Sequence, residues 1–346
     1  MSTHASDSGV AGDFYHPNQK LRVSITIALV FAFLLSTVAV ALRILARKIN
    51  GSKLFLDDYL IIIALLFKYG CSIGVTMLLW NGLGSHITMI PKKNLTVFFK
   101  IGWSNPFVYT SCVAFIKLSI LALYKRLFSV RHIVWAVNFL AGFVILWAVS
   151  IIVANSLMCI PVNKFWDQEI EGACIDTAKF YYGQQIPNIL SDICILILPL
   201  KVVWDLPIAK TQKGLLSGVF LVGGLTLIFD IVRLVEMIKL TKAGPDITYN
   251  QVPTVMWTCT EAAVGIVAAC LPNLRPLFRV GGRGFWSQLR SSSNRSGKSH
   301  LNTTTNTDTS TCVSHTTSNK RVESPSVTEE TVETHRYSDY MQGVKA

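Results

Sequence analysis

The stretch that decides the fold is IVWAVNFLAGFVILWAVSIIVANSLMCIPV, residues 133–162, which contains no Asp, Glu, Lys, Arg or His. A helix of about 20 apolar residues crosses the hydrocarbon core of a bilayer. An uncharged run longer than that reads as a membrane span. Six further apolar segments lie at about 21–44, 57–80, 98–123, 180–203, 215–238 and 252–272. The third is interrupted by Lys100 and the Asn105-Pro106 pair. Composition agrees: charged residues make up 15% of 346 and mean hydropathy is +0.44, whereas soluble domains carry about a quarter charged residues. The expected fold is an all-α polytopic membrane protein, a seven-transmembrane helix bundle. Residues 1–20 form a short N-terminus, 21–280 the membrane domain, and 281–346 a Ser/Thr-rich tail expected to be disordered.

The formal net charge is +12. The basic residues cluster between apolar runs, as in loops that orient a membrane protein, and no basic, aromatic-interleaved domain suggests a nucleic-acid partner. With the N-terminus outside, fourteen Lys and Arg fall in inner segments, Arg43, Arg47, Lys48, Lys125 and Arg126 among them, against nine in outer ones. The bias favours an external N-terminus and a cytoplasmic C-terminus. Asn94-Leu95-Thr96 is a glycosylation acceptor placed by this reading in an outer loop. Residues 1–20 lack the basic start and apolar core of a secretory signal. Cys159 and Cys174 flank an acidic outer loop facing an oxidising space, where a disulfide is feasible. Two free thiols, or Cys112 as partner, are the alternatives. The basic stretch from Arg275 to Lys298 suits an anionic inner leaflet and equally a plain positive-inside bias.

The segments LDDYL (56–60), GLGSHI (82–87), KLSILALYKRLF (117–128), CIPVNKFWDQEIEGAC (159–174), NILSDICILILPL (188–200) and EAAVGIVAACLPNLRPLF (261–278) together resemble the fungal rhodopsin-domain family of integral membrane proteins. That family includes proteins encoded in secondary-metabolite clusters and the seven-helix part of fungal surface receptors that carry a CFEM domain. The resemblance covers roughly residues 21–280. It implies seven helices, a fungal source and a membrane location, but no settled activity.

Ionisable residues at membrane depth face the bundle interior and take partners. The candidates are Lys68, Lys117, Asp192, Asp230, Arg233, Glu236 and Glu261. Counted from the inner helix ends at about 1.5 Å per residue, Asp192 and Glu261 lie at similar depth. Lys117 leans toward both, since helical side chains point to their own N-terminus. A polar core in which Lys117 pairs with Asp192, Glu261 or both is expected, with Trp257 an aromatic wall one turn above Glu261. The same charges could serve only to pin helices together. Asp230, Arg233 and Glu236, three apart, read as a surface ladder with an internal pair. Lys68 reads as snorkelling outward. Asp57 and Asp58 read as helix N-terminal caps, and Gly265 with Ala262, Ala268 and Ala269 as a small-residue packing surface.

Residues 252–272 contain no lysine, so no retinal Schiff base is expected there, and no cofactor. Tyr124-Lys125-Arg126 and Asn273-Leu274-Arg275-Pro276 stand where animal rhodopsin-type receptors carry their Asp-Arg-Tyr and Asn-Pro-x-x-Tyr motifs. Coupling to a G protein therefore gains no support from motif. All seven histidines fall in loops, helix edges or the tail, so no zinc site is expected, and no phosphate loop or nucleophile elbow suggests an enzyme. The expected function is receptor-like sensing of a small extracellular molecule at the plasma membrane, with a cytoplasmic signalling partner reached through loops and tail. The alternatives are a transporter or exporter of a small metabolite, with proline-interrupted helices near Pro106, Pro187 and Pro199, and a structural membrane protein.

Overall fold

The computed structural model describes residues 19–274 except 50, 128–129, 168, 206–209, 243 and 245. The side chains of 19–20 and 200–219 also lie outside the description. The expected N-terminus and tail, with the basic run from Arg275, fall outside the described residues.

The helices are α1 (Gln19–Ile49), α2 (Leu56–Trp80), α3 (Lys92–Leu127), α4 (Arg131–Ser156), α5 (Thr177–Asp205), α6 (Lys210–Lys242), a single turn α7 (Ile247–Asn250) and α8 (Val252–Cys270). Each apolar segment corresponds to one long helix, and most run past the apolar stretch. Hydropathy marks where a helix must be dry, whereas intrahelical hydrogen bonding continues into polar flanks. Thus α1 extends to Ile49 and takes Arg43, Arg47 and Lys48 out of the loop expected for them. Helix α3 begins at Lys92, so Asn94 stands half-buried in its first turn and not in a loop. Pro106 lies inside α3 without ending it. Beside the Gly102 carbonyl that Pro106 cannot serve, Asn155 of α4 donates to the Trp103 carbonyl (2.9 Å) and Trp103 Nε1 donates to the Asn155 carbonyl (3.1 Å).

The helices pack in chain order, α1 on α2 through α5 on α6, and α6 and α1 both pack on α8, closing a ring. Helix α3 also touches α8 and lies toward the centre. Solvent preference is inverted relative to a soluble bundle. Trp135, Phe139, Leu146 and Leu221 are exposed on the outside, while Arg43, Lys68 and Gln185 are wholly buried. Lipid is the natural neighbour of such a surface. Among the described residues, five helical segments, Leu21–Ile49, Leu56–Trp80, Lys92–Leu127, Arg131–Ser156 and Ile247–Leu274, are long and apolar enough to cross a membrane.

Two loops are built rather than slack. Between α4 and α5, β1 (Cys159–Ile160) pairs antiparallel with β2 (Ala173–Cys174), Cys159 opposite Cys174, and the two cysteines form a disulfide. The pairing expected from their flanking positions is the one observed. Closing a loop of this length contributes about 3 kcal/mol. Cys159→Ser should therefore lower the thermal midpoint of the purified protein and expose residues 160–173 to limited proteolysis.

The second is GLGSHI. Gly82 and Gly84 adopt φ of +111° and +89°, open to glycine at little cost, and a Cβ on Gly82 would come within 2.5 Å of Ile90. The turn so formed meets the α6–α8 connection. The Thr248 carbonyl accepts the Gly84 amide (3.0 Å), and Thr248 Oγ1 donates to the Ser85 carbonyl (2.8 Å). Asp246 accepts from the Ile87 amide (3.0 Å) and pairs with the His86 ring. Burial alone would raise the Asp246 carboxyl, but the His86 and Ile87 hydrogen bonds outweigh it and hold it below its ordinary value. A depressed carboxyl contributes stability that is complete above its unfolded pKa and is lost as pH falls through the folded one. This tie should thus persist on acidification to about pH 5 and weaken only below about pH 4. Hydrogen exchange at residues 84–87 across that range checks it.

Candidate functional site

A continuous polar chain crosses the middle of the bundle. It starts at Lys117, buried on α3, whose Nζ donates to the Asn188 carbonyl (2.8 Å), Asn188 Oδ1 (2.7 Å), Ser191 Oγ (2.7 Å) and Asp192 Oδ2 (2.8 Å), all on α5. The ammonium also lies 5.6 Å from the Trp147 ring centroid of α4. Asn188 passes the chain on, donating Nδ2 to Asp230 Oδ1 of α6 (2.9 Å). Gln185 donates to the same carboxyl (3.4 Å) and accepts from Arg233 (3.1 Å). Arg233 meets Glu261 of α8 (3.2 Å), and Tyr109 of α3 bonds both Arg233 and Glu261. Five helices share this network. Three carboxyl groups (Asp192, Asp230, Glu261) face two cations (Lys117, Arg233), each cation with one ion-pair partner.

The structure chooses among the pairings left open by the sequence: Lys117 takes Asp192, and Glu261 takes Arg233. The surface ladder on α6 is corrected. Asp230 and Arg233 are buried and bonded to other helices, while Glu236 pairs with Lys239 (2.7 Å) toward the C-terminal end of α6. Six residues at about 3.6 per turn leave Glu236 roughly 120° away from Asp230, so the three never shared one face. Lys68 does not snorkel; it is wholly buried. Trp257 packs against Phe229 of α6 with ring centroids 5.6 Å apart and lines neither cavity beside Glu261. Tyr109, Gln185, Asn188 and Ser191 were missed. A run of amides and hydroxyls, GQQIPNILSD, inside a lipid-solvated helix was the available signal.

Cavities flank the network. One of about 70 Å³ lies between α3, α5, α6 and α8, bordered by Lys117, Asp192, Asp230 and Glu261. Ala262, Gly265, Ala268 and Ala269 form its α8 wall, so these small residues leave room as well as packing. A Cβ on Gly265 would make only an ordinary 3.6 Å contact with Ile116. A second cavity of about 80 Å³ lies on the other side, bordered by Lys68, Tyr109 and Arg233. It shares Gly102, Tyr181 and Gln251 with a vestibule of about 440 Å³ beneath the disulfide hairpin, where Cys159, Phe165 and Cys174 form part of the wall.

A separate ion network closes the opposite end of the bundle. Arg43 of α1 donates Nε to Asp58 (2.8 Å), one terminal nitrogen to Asp57 (2.7 Å) and the other to the Ala269 carbonyl of α8 (2.7 Å). Arg47 bonds Asp57 (3.1 Å) and Asn273 (3.0 Å). Ser119 of α3 donates to the Asp57 carbonyl (2.7 Å). Asp58 does cap α2, accepting the Phe55 amide (3.1 Å), but capping accounts for only part of its role.

The fold and site define a polytopic helical membrane protein with a charged core and a covered vestibule. A model of the fungal rhodopsin domain matches residues 42–280, and the chain belongs to that family. Similar proteins include the polyenoic acids biosynthesis gene cluster protein Ba17b of Metarhizium anisopliae, 31% identical over 70% of each chain. A SAT4 family membrane protein of Emericella nidulans is 30% identical over 58% of this chain and 51% of its own. Receptor GIN3 of Arthrobotrys oligospora is 23% identical over 54% of this chain and 44% of its own. The family motifs serve the two networks: NILSD and KLSI supply Lys117, Asn188, Ser191 and Asp192, while LDDYL and the Ala269–Asn273 turn supply the other end.

Proposed function

We propose that this protein is a receptor-like membrane protein that senses a small extracellular molecule. The carrying observation is the vestibule under the disulfide hairpin, which shares wall residues with a cavity bordered by Tyr109 and Arg233, the two partners of Glu261. A molecule entering there would touch α3, α6 and α8 at once, and differential contact with two arrangements of those helices is what a signal requires. The receptor among the similar proteins supports the reading. In it the seven long helices all cross the plasma membrane, with the hairpin and Asn94 outside and the C-terminus in the cytoplasm. The charges bind and transmit rather than catalyse, and a cytoplasmic partner reads the inner face. A glycosidase-sensitive mobility shift that disappears in Asn94→Gln tests the orientation. For function, a deletion strain complemented with Glu261→Gln, expressed to the protein level of the parent, should lose the transcriptional response to fractionated culture metabolites. An unchanged response removes the pocket from the scheme.

The second reading is export. Cavities of about 70 and 80 Å³ lie on opposite sides of the charged cluster, an arrangement that also suits alternating access to a central site. Relatives named for biosynthetic clusters favour it. Net flux of metabolite in reconstituted vesicles would support export; a receptor gives none.

A further inference from the structure

The cavity bordered by Lys68 holds cationic and polar groups that the central network leaves uncommitted. Lys68 is the middle residue of α2 and is wholly buried. Its Nζ donates to Ser72 Oγ (3.1 Å), and Ser72 in turn donates to the Lys68 carbonyl (3.1 Å). An ammonium has three N–H groups. Among the described residues Lys68 forms no ion pair, unlike Lys117 and Arg233. Arg233 borders the same cavity, and its Nε is buried with no hydrogen-bond partner. Thr254 Oγ1, on the α8 wall, is also buried and unpartnered. Groups from α2, α6 and α8 thus converge on one void with hydrogen-bonding capacity to spare. Burying a lone cation is costly unless an anion joins it, more so at membrane depth.

We infer that this cavity binds the carboxylate of a small amphipathic monoanion whose apolar body lies in the vestibule. The charges on the cavity wall set the valence: of its two cations, Arg233 is paired with Glu261, Lys68 has no ion pair among the described residues, and Asp230 borders the other cavity. Size sets the division of the ligand. A space of about 80 Å³ takes a head group, and the adjoining 440 Å³ is walled mainly by apolar residues, Phe98, Phe99, Met158, Phe165 and Ile175 among them, with Lys164 also on its lining. Apolar walls with a few placed polar groups are the usual form of a small-molecule site. The inference deepens the sensing reading and rests on the same vestibule, but it is tested by binding alone.

The full chain in nanodiscs is titrated with octanoate, 1-octanol and octylammonium, reading tryptophan fluorescence and thermal midpoint, with chloride exchanged for gluconate as a further arm. Octanoate should bind and raise the midpoint, while octanol and octylammonium should not. Lys68→Met should weaken octanoate about thirtyfold, and its unliganded midpoint should equal or exceed that of the parent, because the lone buried cation is gone. Lys68→Arg should retain binding. Thr254→Val, which keeps shape and cannot unbalance charge, should weaken octanoate several-fold even if Lys68→Met folds poorly. Equal binding of octanol, or octanoate binding indifferent to both substitutions, overturns the proposal. So does a chloride effect of equal size with the same Lys68 dependence, which would assign the site to a free inorganic anion. Octanoate binding without any cellular response would leave this site standing and defeat the receptor reading.

Discussion

Arg43→Met should destabilise the folded protein by about 3–5 kcal/mol, the range for removing one partner of a buried ion pair. The guanidinium is 0% exposed, and it alone joins Asp57, Asp58 and the Ala269 carbonyl. Its loss takes the nearest cation from two carboxyls that are 2% and 1% exposed and frees a carbonyl of α8. Arg47 remains, 3.1 Å from Asp57 and 3.2 Å from Asp58 and bonded to Asn273, so one cation serves both carboxyls, and Arg126 lies 3.6 Å from Asp57 with more than a third of its side chain exposed. Neither can reach the Ala269 carbonyl in Arg43's stead without giving up its own contacts. Arg43→Lys should recover only part, because one ammonium keeps the charge without the three-pronged fork. Adding Asp58→Asn to Arg43→Met should recover more than Arg43→Lys does, since the penalty lies in two buried carboxylates left to share Arg47. Thermal unfolding of the detergent-purified variants measures all three. If Arg43→Met costs under about 1 kcal/mol, in the range of an exposed pair, the network is not what joins α1, α2 and α8.

The same residues show where sequence reading succeeds and where it stops. Periodicity and apolar length located every long helix, because lipid leaves no other solution for the backbone. The Cys159–Cys174 pair was legible from its flanking positions around one loop. Lys117, Asp192 and Glu261 were legible as buried, because a charge inside an apolar run has nowhere else to point. Their partners were not. Glu261 and Arg233 are 28 residues apart and on different helices, and Arg43 meets a carbonyl 226 residues away. Such contacts depend on helix rotation and ring order, which no local pattern carries. Arg43 misled for a related reason. At a helix end, a positive-inside residue and a buried ion-pair partner look alike until the neighbouring helix is placed. The cavity beside Lys68 was hidden altogether, since Lys68 is informative only through the lack of an ion-pair partner among the described residues.

A double-mutant cycle on Lys117 should show which carboxyl it depends on. Lys117→Met alone should cost about 3–5 kcal/mol, because Asp192 loses its ion-pair partner and Asn188 and Ser191 lose the donor that gathers them. Asp192→Asn alone should cost less, since Asn188 and Ser191 still accept from the ammonium. Combined, the two should couple by about 2 kcal/mol, within the range for residues in contact. Lys117→Met with Glu261→Gln should instead approach additivity, to within about 0.5 kcal/mol, as expected for sites that share no direct contact. Glu261 bonds Tyr109 and Arg233, and the two halves meet through Asp230, which is held by Asn188 and Gln185 and faces both Asp192 and Glu261. A strong Lys117–Glu261 coupling would mean that this junction transmits energy across the bundle, so that the two cavities answer to one cluster rather than to two adjacent ion pairs. The cycle therefore separates a core that only fastens five helices from one whose two cavities are linked. Linkage is the property that either a receptor or an exporter needs from this site.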